Sequence, residues 1–263
     1  MTLRIDAGWD FARIGDATMT VQDNTGSYTV SFTSGKYCHT DIQSVMGSGN
    51  YDDFATALDT ALDGLASART YTVTWNGSSA VKSYSIAVNT GNLGLTFSTH
   101  GTAGAIMQHL LGFSGDVAYA AGTKTGDVGS YYCVAGAVGA MSEVSDDYAP
   151  QSIAYGAEAD DGTPYGIGRT GAPIYFDFTI SMESAAATLK RKAAAAAPWT
   201  FQHLYEHVSV VEPFAVIDDD GTRVHKLRSQ DLGGAPGFAP RRAVADWDGA
   251  WLIDFKTYRL GSL

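Results

Sequence analysis

Apolar and polar residues alternate over 18–22 and again over 27–32, with Asp23-Asn24-Thr25-Gly26 between the two runs. Period-two alternation on both sides of an Asn/Gly turn predicts a β-hairpin. The period then changes. Phe54, Leu58, Ala61, Leu62 and Leu65 recur at helical spacing and predict a helix over 51–65. Asn50 is its candidate N-cap, Asp52 and Asp53 fall in the first turn, and Asp59 and Asp63, four apart, face water. Strands are predicted over 71–75, 81–88 and 93–97, joined by short Asn/Gly connections. Links this short predict an antiparallel meander, since parallel crossovers need longer ones. A second helix over 102–111 ends at Gly112, where a left-handed cap belongs.

Beyond Gly112 the signal weakens. Residues 112–173 are rich in Gly, Ala, Ser and Thr, with one short strand read at 131–134, and 158–171 reads as a long surface loop. The cleanest strand is 174–181, where Ile174, Phe176, Phe178 and Ile180 point one way. Helices are predicted over the Ala-rich 185–197 and, after Pro198, over 201–208. Residues 214–217 and 222–227 flank Asp218-Asp219-Asp220-Gly221 as a hairpin, and 251–258 forms the last strand. The sum is an α+β chain dominated by antiparallel strands, β-sandwich-like, with about four short helices.

Charge adds a division. The 263 residues carry a formal −11, but 1–184 hold 7 Lys/Arg against 19 Asp/Glu, while 185–263 hold 10 against 9. The expected organisation is therefore an acidic β-rich domain over 1–184 and a smaller C-terminal segment over 185–263, which can share the same core. A strongly acidic chain argues against nucleic acid as the main partner. No run of 18 apolar residues suggests a membrane span. The opening MTLRIDAGWDFARIGD shows no basic head followed by an apolar run, so no secretory signal is expected. Cys38 and Cys133 are the only cysteines; they can pair only if the fold brings their Cα atoms within about 7 Å.

Candidate chemistry is sparse. His203-Leu204-Tyr205-Glu206-His207 is an H-x-x-E-H string, which on a helix puts two imidazoles on one face with a carboxylate between them. Its buried stripe would be Phe201, Leu204, Tyr205 and Val208, which leaves His203, Glu206 and His207 as a solvated face. Asp218–Gly221 lacks the alternating ligands of a calcium loop and reads as a turn. Ser114 in LLGFSGD is not set in a nucleophile elbow, and no phosphate or dinucleotide loop occurs. Lys190-Arg191-Lys192 and Arg241-Arg242 read as solvated, or as facing the acidic surface of another copy. No catalytic residue, cofactor or metal is expected.

Several segments taken in order resemble a known group. The helix YDDFATALDTAL (51–62), the strands YTVTW (71–75), YSIAV (84–88) and LGLTF (93–97), and the closing LLGFSGD (110–116) resemble units of virion structural proteins of tailed bacteriophages. The terminal WLIDFKTYRLG resembles the last strand of tail-associated proteins. The resemblance covers a quarter to a third of the chain. It implies a non-enzymatic particle component of the tail or tail tip. Such a protein is made in the host cytoplasm, resides in the virion, and has copies of itself and other virion proteins as partners. Within the loop, Tyr165 and Arg169, with Tyr155 nearby, are the candidate subunit contacts, because those residue types concentrate binding energy. An adhesion or carbohydrate-binding β-domain is the alternative that the aromatic strands leave open.

Overall fold

The computed structural model describes residues 2–47, 49–130, 133–141, 154–158, 164–168, 175–182, 213–218, 224–229, 231–232, 235–236, 238–242 and 251–259. Over these the chain is α+β with antiparallel strands dominating. The expected helices at 185–197 and 201–208 lie outside the described residues, as do His203, Glu206, His207 and Lys190–Lys192.

The largest sheet has seven strands in the order Tyr175–Met182, Cys133–Met141, Thr2–Ala7, Phe214–Asp218, Val224–Ser229, Trp251–Arg259, Phe238–Arg242. Tyr175–Met182 also pairs with Trp251–Arg259, from Tyr175↔Tyr258 to Met182↔Trp251. Six strands thus close into an antiparallel ring. Phe238–Arg242 and Val224–Ser229 share the other edge of Trp251–Arg259, one pairing at 251–255 and the other at 257–259. A closed ladder leaves none of its six strands with a free edge along the closure. The ring draws strands from both sides of residue 184.

Between Ala7 and Cys133 the chain builds the other large sheets. One orders Val117–Ala121, Asn92–Thr96, Ala17–Gln22 and Ser27–Phe32; another orders Lys124–Thr125, Tyr84–Val88 and Tyr71–Trp75. The first hairpin forms as expected, in the register Gln22↔Ser27 to Ala17↔Phe32. Asp23 closes it by accepting from the amides of Thr25 and Gly26 and the hydroxyls of Thr25, Ser67 and Tyr71. The helix Gly101–Leu111 ends on Gly112 in the left-handed region (φ 79°). The LLGFSGD segment is then a double clamp. Asp127 accepts from the amide and hydroxyl of Ser114, and Asp116 accepts from the amides of Phe97 and Ser98.

One core joins the parts. Trp9, Phe11, Met19, Phe54, Leu58, Tyr84, Leu95, Ile106 and Leu110 are buried together with Ile5, Phe214 and Val216 of the ring. A second cluster of Cys38, Ile42, Met46 and Tyr51 packs with Ala215 and Ile217.

Five expectations are corrected. The meander breaks after its second strand: Tyr71–Trp75 and Tyr84–Val88 pair, but Asn92–Thr96 lies between Ala17–Gln22 and Val117–Ala121. Leu93 and Leu95 are buried there, between two neighbours rather than at the end of a meander. The helix predicted over 51–65 starts at Phe54 with Asp53 as its N-cap, not Asn50, because Asp52 and Asp53 are extended and pair with Tyr37 and Cys38. Asp59 and Asp63 do not simply face water; they accept the amides of Val73 (3.0 Å) and Tyr71 (2.8 Å). Finally, the supposed loop is a hairpin, with Ala154–Glu158 antiparallel to Pro164–Gly168, and the weakly patterned Cys133–Met141 is a ring strand paired on both edges.

Candidate functional site

Alternation along Thr2–Ala7 puts Arg4 and Asp6 on one face and Ile5 and Ala7 on the other. Read locally, the charged face should meet water. Instead Cys38, Ile42 and Met46 pack beside Ala215 and Ile217, the ladder partners of Asp6 and Arg4. The Arg4 and Asp6 side chains are 4% and 0% exposed.

Arg4 is the hub of what is enclosed. Its Nη2 lies 2.8 Å from an Asp6 carboxylate oxygen and 2.5 Å from one of Asp41, and its Nη1 donates to the Gly77 carbonyl at 3.0 Å. The guanidinium also stands 6.0 Å from the centre of the Trp75 ring. That ring stacks on His39 at 3.7 Å and 12°, and the Trp9 ring meets His39 edge-on at 4.9 Å. The Nδ1 of His39 shares a 2.9 Å hydrogen bond with the Tyr84 hydroxyl. Its Nε2, also buried, has no hydrogen-bond partner among the described residues.

The electrostatics follow from enclosure. Burial, and then the charge of Arg4, hold His39 well below the ordinary histidine range. Burial, reinforced by Asp53 and other acids, raises the Tyr84 phenol and the Cys38 thiol. At neutral pH the cluster therefore holds a neutral imidazole, a protonated thiol and a protonated phenol around one ion-paired cation. A thiol raised in this way is a poor nucleophile. The arrangement works as a clasp, tying a ring strand to the Thr40–Ile42 turn and the Trp75–Gly77 corner.

Among the described residues no group of three His, Cys, Asp or Glu side chains is placed to hold a metal ion. Cys38 is a free, buried thiol, and Cys133 is opposite Asp6 in the ring ladder. Arg241 and Arg242 end the strand Phe238–Arg242, and Asp218 ends Phe214–Asp218.

The three candidate contact residues fare differently. Tyr155 and Tyr165 lie on the hairpin, at register positions Tyr155↔Ile167 and Ala157↔Tyr165. Opposed residues share a face, as do residues two apart. The register thus places Tyr155, Ala157, Tyr165 and Ile167 on one face, and Gly156, Gly166 and Gly168 on the other. Arg169 lies outside the described residues. The clasp residues escaped sequence reading. Their one signal was Arg4-Ile5-Asp6, an alternation that fits a solvated strand equally well.

No protein-family model, curated protein or solved structure matches this chain.

Proposed function

We infer that the chain is a non-enzymatic structural subunit that works by assembly, as a component of a tailed-bacteriophage particle at its tail or tail tip. The observation that carries this reading is the hairpin Ala154–Glu158/Pro164–Gly168. Among the described residues its two strands pair only with each other. An isolated two-stranded hairpin is marginal in water, and ordering its backbone costs about 1–2 kcal/mol per residue. Its register gathers Tyr155, Ala157, Tyr165 and Ile167 on a single apolar face. Such a ribbon is stabilised by a neighbour laid against that face. The resemblance of 51–116 to virion proteins supports the same reading. So does the clasp, whose ionisable groups are engaged internally.

The test is particle association. Deleting residues 163–170 removes the strand Pro164–Gly168, and should leave the rest of the subunit folded with an unchanged Tm while sharply reducing co-sedimentation with intact particles. Normal co-sedimentation of that variant would sink the ribbon's role. A second reading, glycan binding, draws on the outward face of the four-stranded sheet. There Thr18, Thr20, Thr29 and Ser31 stand in opposed pairs without a charge among them. Binding of the isolated chain on a glycan array, together with failure to sediment with particles, would favour that reading.

A further inference from the structure

The two large sheets outside the ring treat an outer edge in opposite ways. At Tyr71–Trp75, Asp59 and Asp63 reach from the adjacent helix and occupy the outward amides of Val73 and Tyr71. That edge is sealed against another strand. At the edge of the four-stranded sheet, Val117–Ala121 pairs with Asn92–Thr96 alone among the described residues. Here Ala118, Tyr119, Ala120 and Ala121 are exposed, Tyr119 at 40%, and no side chain among the described residues bonds to the strand's backbone.

Charge narrows the choice of partner. Residues 117–123 carry no charge in a chain whose formal charge is −11, with Asp116 just before them and Lys124 just after. Two acidic copies repel least where neither presents a carboxylate. Antiparallel pairing of this strand with its own copy sets the Asp116 end of each against the Lys124 end of the other. Parallel pairing would align like charges. Alanines on both sides of Tyr119 leave room for the two tyrosines to meet near the axis.

We propose that Val117–Ala121 pairs antiparallel with the same strand of a second copy, about a twofold axis near Tyr119, joining two four-stranded sheets into one of eight strands. This deepens the assembly reading by naming one of its contacts, distinct from the ribbon. The strand carries a bulge between Val117 and Ala120. The backbone of Tyr119 comes within 3.2 Å of where a Cβ on Gly94 would stand, so a side chain there would crowd the bulge. Bulges also blunt edges in monomers, which makes a strict monomer the competing outcome. Five paired residues form a small isologous contact, so the pair should be weak alone and strengthened by multivalency in a particle.

The test uses the full chain in sedimentation equilibrium, up to about 100 μM. The wild type should show a reversible dimer. Ala118→Lys and Ala120→Lys, at exposed positions, should each weaken it at least about tenfold, without lowering Tm. Mild oxidation of Tyr119→Cys should give a disulfide between two copies of the peptide carrying that substitution. A wild type monomeric throughout overturns the proposal, and so does a dimer indifferent to both lysines. Failure here with intact particle co-sedimentation would leave the assembly reading standing. A dimer without particle association would do the reverse.

Discussion

Arg4 shows how a single side chain can tie distant segments together. It touches the buried Asp6 on its own strand, the more exposed Asp41 in the turn and the Gly77 carbonyl, while itself only 4% exposed. Replacing it by Met keeps bulk but removes the guanidinium 2.8 Å from the buried Asp6 carboxylate. Loss of one partner of a buried pair costs about 3–5 kcal/mol, so Arg4→Met should lower urea-unfolding stability by that order. His39 gives the cluster a pH response. In the unfolded chain it titrates near its ordinary 6.5, and in the fold well below that, because burial and Arg4 oppose the imidazolium. Between those two pH values the unfolded state binds more protons, so stability is full above about 6.5 and falls as pH drops through the window. His109, lowered by burial, adds a slope of the same sign. His39→Phe keeps a ring against Trp75 and cannot titrate. Its stability should fall less steeply below pH 6.5 than the wild type's, whereas an unchanged slope would assign the response to His109.

The same economy appears between elements, where the helix Phe54–Asp63 guards the strand Tyr71–Trp75 through Asp59 and Asp63. Asp59→Ala and Asp63→Ala should each cost about 1 kcal/mol, since water can reach the released amides. The double variant should also self-associate, because it uncovers an edge. Light scattering against concentration checks this, and scattering equal to wild type would show that the carboxylates do not guard the edge. The element itself was legible: its apolar spacing is local information, as are the Asn/Gly hairpin, the Gly112 cap and the alternation of Tyr175–Met182. Partner choice was not. Asn92–Thr96 reads like the third strand of a meander, yet its buried Leu93 and Leu95 place it between two other strands. Cys133–Met141 signals a strand only at its start, within the predicted 131–134, because Ala and Gly carry little strand propensity. Pairing on both edges supplies what propensity lacks. Arg4 and Asp6 escaped reading for a related reason, since what covers them comes from residues more than thirty positions away.

At the scale of the molecule, the charge profile and the ladder disagree about where the chain divides. Composition changes near residue 184, from strongly acidic to nearly neutral. The ring crosses that point twice: Thr2–Ala7 pairs with Phe214–Asp218, and Tyr175–Met182 pairs with Trp251–Arg259. A chain cut at 184 would keep three ring strands, in the order Tyr175–Met182, Cys133–Met141, Thr2–Ala7, with both outer edges bare. It would also lose Phe214 and Val216 from the main core, and Ala215 and Ile217 from the cluster beside Arg4. Open, apolar edges recruit other chains, so residues 1–184 expressed alone should aggregate, and 185–263 alone should be degraded or insoluble. Co-expression of the two pieces should restore a soluble complex, because the missing edges are each other's partners. Solubility and gel filtration of the three preparations decide the matter. A soluble, monomeric 1–184 with the wild-type Tm would show that the charge break, and not the closed ladder, marks the cooperative unit.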